Sequence, residues 1–327
     1  VPLRIGILGA GQMGRTHAAV LARDPRVRIV GVADADAERS LALASRVEAR
    51  PLSDLEALLG IGLDLLVVTT PNRHHADASL AALQRGVAVF CEKPMAVGLE
   101  EARRVCAAAE KPGAFYAVAH NRRHAPVYRH VRRLIEGGFV PLLASMRMHE
   151  GDYRTPAWVA NRSMSGGFLY ENLVHFFDLM EWLVGPIGAL SCLARSPFYE
   201  DLNDFVISVE FSQGALGAIT ATGHGTWTPP AEGTELIGDH ASIVVEGLDR
   251  VRHARGDGVT IEDCSSLDRE ERWGYRGQDG EVIEALLAGT KTCFPPRRAL
   301  RTLEVAEACA LAAREARPVR LAPPPVD

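Results

Sequence analysis

No apolar run in these 327 residues approaches the roughly 18 that a membrane-spanning helix needs, so no helical membrane span is expected. The first apolar stretch, Ile5 to Leu8, is too short for the core of a secretory signal and runs straight into a glycine-rich turn. The six cysteines, Cys91, Cys106, Cys192, Cys264, Cys293 and Cys309, are far apart and form no C-x-x-C pair. That spacing argues against a structural zinc or dithiol site and leaves reduced, buried thiols in a cytoplasmic protein as the expectation, with no metal. There is no internal repeat and no basic stripe. Arginines are scattered among carboxylates and the formal net charge is −5, so nucleic acid is not an expected partner. Lysine is nearly missing. Of 36 lysines and arginines, only Lys93, Lys111 and Lys291 are lysines, which draws attention to each of them.

What is present is an ordinary globular balance, 47% hydrophobic and 24% charged, in a chain long enough for two cores. Residues 1–120 alternate strand-like runs (4–8, 28–33, 65–69, 87–91, 115–119) with helix-like ones (12–23, 37–45, 75–84, 99–109). That rhythm predicts an α/β domain, doubly wound on a parallel sheet. From 121 to 327 the rhythm changes to longer β-like runs at 189–194, 205–211, 216–222 and 242–246. With helices over 126–136, 172–184 and 298–315, they predict an α+β domain on a largely antiparallel or mixed sheet with one covered face. The prolines at 323–325 predict a disordered tail.

Gly9-Ala10-Gly11-Gln12-Met13-Gly14 fits G-x-G-x-x-G between a predicted strand and a predicted helix. In that context the first glycine allows the tight turn, the second lets backbone approach a pyrophosphate, and the third permits close packing. The start of the helix, at Gln12 and Met13, offers N–H groups and a positive dipole end to the anion. Asp34 ends the second strand, where a carboxylate accepts from a ribose 2′-hydroxyl and repels a 2′-phosphate. No basic residue follows until Arg39, which favours NAD over NADP. The alternative for Asp34 is a turn acid that caps the next helix. Thr70-Pro71-Asn72 follows the third main strand at the same sheet edge and is read as a further cofactor contact.

Glu92-Lys93-Pro94 closes the run 87–91 at that edge too, beyond the carboxyl end of a parallel strand, where ligands collect. Lys93 is therefore placed near the reacting carbon, with a solvated loop lysine as the alternative. In the segment 166–183, Leu173, Phe176, Phe177, Met180 and Leu183 share one helical face, and Glu171, His175, Asp178 and Trp182 share the other. The polar face is either simply solvated, or Glu171, one turn before His175, orients an imidazole suited to proton exchange. Spacing alone leaves both readings open.

Taken together, the glycine fingerprint, Asp34, the T-P-N turn at 70–72, the E-K-P at 92–94, the N-R-R at 121–123 and the G-G…H-x-x-D from Gly166 to Asp178 resemble the Gfo/Idh/MocA family. The likeness spans nearly the whole chain. It implies a Rossmann domain followed by a sheet domain that often makes oligomer contacts through its open face, hence a homodimer or homotetramer. The family's usual catalytic lysine and histidine map onto Lys93 and His175, with Glu171 standing where many members have aspartate. Phe168 and Leu173 replace glycines common in the family. The activity implied is NAD-dependent hydride transfer between nicotinamide and a secondary alcohol or ketone of a sugar, inositol or related polyol, with Glu92 and Lys93 also beside the cofactor. Arg122, Tyr153 and Trp158 are read as substrate contacts or as packing residues, and Asp178 as a structural acid. Rival readings are a redox-neutral NAD-dependent glycosidase or lyase, a non-catalytic dinucleotide-binding regulator, and a non-sugar substrate.

Overall fold

The computed structural model describes residues 1–151, 155–226, 231–292 and 294–324. Tyr153, Cys293 and Pro325, named above, lie outside them. By contact the chain forms two compact units, Val1–Asn121 with Tyr275–Leu300, and Arg122–Gly274 with Arg301–Asp327.

The first unit alternates β1 (Leu3–Leu8), α1 (Gln12–Leu21), β2 (Val27–Ala33), α2 (Ala37–Arg46), β3 (Arg50–Leu52), α3 (Leu55–Leu59), β4 (Leu65–Val68), α4 (His75–Gln84), β5 (Ala88–Glu92), α5 (Leu99–Ala109) and β6 (Tyr116–Ala119). The strands form one parallel sheet in the order β3-β2-β1-β4-β5-β6. Every residue of β4, β5 and β6 is buried, as expected of parallel strands covered on both faces. Ile5, Ile7, Val32, Leu65, Val67 and Phe90 form the centre of the core, each fully buried aliphatic contributing about 1.5–3 kcal/mol. The strand order reverses between β1 and β4, so their carboxyl ends open the crevice where such sheets bind ligands.

The second unit contains α6 (Pro126–Glu136), β7 (Leu143–His149), α7 (Arg162–Ser165), a π-helical turn (Leu169–Leu173), α8 (Val174–Leu183), β8 (Ile187–Arg195), β9 (Asp204–Phe211), β10 (Leu216–Thr222), β11 (Glu232–Gly238), β12 (Ala241–Glu246), β13 (Arg250–Arg255), β14 (Gly258–Asp263) and α9 (Arg269–Arg272). After α10 (Tyr275–Ala288), α11 (Pro296–Glu315) begins in the first unit and ends in the second, followed by β15 (Val319–Arg320). The nine-stranded sheet runs β14-β13-β12-β11-β7-β10-β9-β8-β15, antiparallel at every pair except β7 with β10. Burial alternates along β7, β9 and β10, so one face is covered. The other leaves Leu143, Val206 and Leu216 about half exposed. The expected sheet is thus present, mixed at one strand pair.

The stretch Tyr275–Leu300, read from sequence with the second domain, groups by contact with the first unit. The reason is packing: α10 lies on α1, and Val282 and Ile283 join the core built on β1 and β4.

Candidate active site

In the first unit, Gly9 sits at φ +102°, in the left-handed region, and a Cβ there would stand 2.5 Å from the Thr69 carbonyl oxygen. A Cβ on Gly14 would stand 1.9 Å from the Gly9 oxygen, so turn and helix close on each other without room for a side chain. At Gly11 a Cβ would meet nothing within 4 Å. Gly11 is also the N-cap of α1, and no side chain caps that helix. The loop therefore presents backbone N–H groups, a dipole end and open space at one place, a fit to a pyrophosphate.

Asp34 lies at the end of β2, half-buried, and accepts from the Ala10 amide at 2.6 Å and the Asp36 amide at 2.8 Å. It does not cap α2. Asp36 does, accepting from Glu38 and Arg39 amides and pairing with the Arg39 guanidinium. The carboxylate of Asp34 is thereby tied to the glycine loop itself, as a ribose acceptor beside a pyrophosphate cradle needs to be. The T-P-N turn follows β4. The Thr69 hydroxyl donates into the glycine loop at the Gly9 carbonyl, 2.7 Å, and Asn72 is buried.

The E-K-P turn follows β5 one strand further along. Lys93 is half-buried, the Lys93–Pro94 peptide is cis, and Glu92 is 7% exposed. The Glu92 carboxylate points inward: one oxygen accepts from the Lys93 amide at 3.0 Å, the other faces His17 Nε2 at 3.1 Å. Any contact Glu92 makes with a cofactor therefore falls to its backbone. Burial pushes the Glu92 carboxyl up, but the hydrogen bond and charge of His17, then Lys93 and His75, bring it below the usual range. His17 and His75 were not singled out from the sequence; the signal for His17 is its place on α1, three residues after the last glycine of the fingerprint.

In the second unit the segment expected as one α-helix from 172 begins as a π-helical turn, Leu169–Leu173, before α8. The i→i+5 winding means that Glu171 and His175 are not separated by a plain α-turn, and π-turns of this kind recur at functional sites. Glu171 is half-buried, whereas His175 and Asp178 are 7% and 3% exposed. The face that carries His175 is therefore not a solvated one.

Arg123 and Asn172 are among the residues that fix α8. Arg123 Nε donates to both Asp178 carboxylate oxygens at 2.9 and 2.8 Å, with a further bond from its terminal nitrogen. The Arg123 guanidinium also lies over the Trp182 ring, 5.3 Å from its centroid. Asn172 donates to Glu150 just before the helix. Asp178 is thus held in a buried ion pair with Arg123. Arg122 pairs with Glu232 while buried and lies over Trp273; Trp158 is half-buried in a turn. Among the described residues no cluster of His, Cys, Asp and Glu is arranged to hold a metal ion, and no helix is long and apolar enough to cross a membrane.

The model of an oxidoreductase family, NAD-binding Rossmann fold, matches residues 3–120, and that of the same family's C-terminal alpha/beta domain matches residues 142–321. Inositol 2-dehydrogenase of Rhizobium meliloti is 26% identical over 98% of this chain and 99% of its own length. The uncharacterized oxidoreductase YrbE of Bacillus subtilis is 27% identical, over 65% of each chain, so the match spans just under two thirds of that protein. Levoglucosan dehydrogenase, solved with NADH and levoglucosan, superposes with a TM-score of 0.90 over 98% of this chain and 100% of its own, at 20% identity, a likeness of fold.

Proposed function

This chain belongs to the Gfo/Idh/MocA oxidoreductase family, and from that premise we propose that it oxidises a secondary alcohol of an inositol, sugar or related polyol, or reduces the corresponding ketone, with NAD. The observation that carries the reading is the shared edge of one sheet, where an uncapped helix start with open space at Gly11, the Asp34 carboxylate and the Lys93 turn follow β1, β2 and β5. Gly9, Gly11, Gly14 and the Gln12 and Met13 amides would hold the pyrophosphate, Asp34 the adenosine ribose, and Thr70, Pro71, Asn72 and the backbone of Glu92 and Lys93 the remainder. Nicotinamide bound there supplies the hydride acceptor or donor.

The chain's own groups handle the proton. Lys93 Nζ, as a cation, stabilises negative charge that builds on the substrate oxygen during oxidation. His175 takes the hydroxyl proton on an imidazole nitrogen and returns it in the reverse direction. Glu171 orients His175 or accepts from a neighbouring hydroxyl. NAD is favoured over NADP because Asp34 would face a 2′-phosphate with like charge. The half-exposed apolar residues on the open sheet face, Leu143, Val206 and Leu216, support self-association into a homodimer or homotetramer.

The test is formation of reduced nicotinamide when the protein is offered NAD or NADP with myo-inositol, scyllo-inositol, glucose, other sugars and sugar acids, beside Lys93→Met. A signal in the wild type that falls on the order of a hundredfold or more in the variant, with NAD binding kept, is the expected result. Silence despite measurable NAD binding overturns it in favour of a redox-neutral enzyme or a sensor.

A further inference from the structure

Two buried histidines converge on the E-K-P turn from two different helices. His17, on α1, is 0% exposed; its Nδ1 lies 2.9 and 3.0 Å from the two Asp279 oxygens and its Nε2 3.1 Å from Glu92. Asp279 sits on α10, 1% exposed, and the rings of Phe90 and Tyr275 stand nearly perpendicular to the imidazole, 5.1 and 6.2 Å from it by centroid. His75, on α4, is 1% exposed; its Nδ1 is 2.7 Å from the Pro94 carbonyl oxygen and its Nε2 2.8 Å from the Thr70 carbonyl oxygen. All these residues belong to the first unit.

The chemistry of the partners sets the protonation. A carbonyl oxygen only accepts, so both nitrogens of His75 carry protons and the ring is an imidazolium. His17 faces a carboxyl group on each side, and their negative charge favours the imidazolium, although burial pushes the Asp279 carboxyl itself up. Burial works against both charges. For His17 the charge and hydrogen bonds of Asp279 and Glu92 outweigh it and raise the ring to about 10. For His75 the neighbouring Cys91 and the carbonyls of Pro94 and Thr70 do so, to about 9. Among the described residues the titratable groups around His17 include Glu92 on β5 and Asp279 and Tyr275 on α10; those around His75 include Cys91 and Glu92 on β5.

Buried ion clusters are poor devices for stability alone, since well-packed apolar side chains serve as well. What this cluster does is hold three consecutive residues. Glu92 is gripped by its side chain, Lys93 by its amide through Glu92, and Pro94 by its carbonyl. Through the Thr70 carbonyl, His75 also ties this turn to the T-P-N turn. We propose that His17, with Asp279 behind it, and His75 are the positioning residues of Lys93, clamping the E-K-P backbone so that the lysine amine is presented at one place on the sheet edge. This inference rests on the reading that Lys93 is the catalytic lysine, and misplacing a reacting group by about 1 Å costs about a hundredfold.

The scarcity of lysine makes the test direct. Reductive methylation with ¹³C-formaldehyde keeps the charge and labels Lys93, Lys111 and Lys291, so each dimethylamine signal can be followed by NMR against pH without substrate or cofactor. In Asp279→Asn, His17→Gln and His75→Gln, the Lys93 signal should change position and titration while those of Lys111 and Lys291 stay. With myo-inositol or another substrate active in the panel, turnover should fall about tenfold to a hundredfold with NAD binding kept, and adding Lys93→Met should lower it no further than Lys93→Met alone. Asp279→Asn removes one charge and no bulk, so it decides the matter if the histidine variants do not fold. An unmoved Lys93 signal in the folded variants overturns the clamp. A moved signal with Lys93→Met fully active leaves the clamp standing and overturns the assigned role of Lys93.

Discussion

The sheet edge of the first unit and helix α8 of the second carry the two candidate proton-handling residues, and each is anchored by buried charge of a different chemical kind. Lys93 hangs from histidines, His17 between Glu92 and Asp279 and His75 between two carbonyls. His175 rides on a helix held by an arginine, Arg123, against Asp178. Arginine stays charged at any pH a protein survives, whereas histidine does not. As pH rises, the guanidinium anchor therefore keeps its charge and the imidazolium anchor is built to lose it.

The largest expected effect breaks the arginine anchor. Arg123→Gln removes the guanidinium paired with the buried Asp178 carboxylate, which should cost about 3–5 kcal/mol and be visible as a lowered denaturant midpoint. Next comes pH. The rings of His75 and His17 are raised from 6.5 to about 9 and about 10, so the stability they contribute is fully present below 6.5 and is lost as pH rises through those folded values. The thermal midpoint of the wild type should fall over that alkaline window, and less steeply in His75→Gln. Equal slopes would mean that His75 does not titrate there.

Two glycines sharpen the contrast between packing and ligand space within the first unit. Gly14→Ala must move backbone and should lose on the order of 1–3 kcal/mol of stability. Gly11→Ala meets nothing within 4 Å, so its stability should fall by no more than the difference between glycine and alanine at an N-cap, about 1 kcal/mol, while NAD binding weakens in a titration. Smallest is Asp34→Ala, which should relax the NAD preference roughly tenfold in the ratio of NAD to NADP affinities. An unchanged ratio would remove Asp34 from the ribose.

The first unit was legible because its strands are continuous apolar runs and its turns carry glycine and proline at places where backbone geometry demands them. The helices 75–84 and 99–109 were read with the bounds they have. Strand β3 is only Arg50-Pro51-Leu52, too short to show a period, and β14 alternates apolar residues only at Val259 and Ile261 and is exposed along its whole length. Helix α10 escaped for a more informative reason: it buries Gln278 and Asp279, which break the 3.6-residue apolar period. One of those two residues is the acid behind His17. Positions where pattern fails through buried polarity are where function is expected to sit.

Sequence alone determined the fold class, the family and the candidates Lys93, His175 and Asp34, because glycine geometry, strand edges and titratable side chains are written in local order. Tertiary structure decided which acid caps α2, that Leu169–Leu173 winds as a π-turn, that the His175 face of α8 is buried, and that Asp279 meets His17 across 262 positions of chain. These depend on groups distant in sequence competing for the same buried hydrogen bonds. Such a competition is settled by burial and geometry, which no local pattern records.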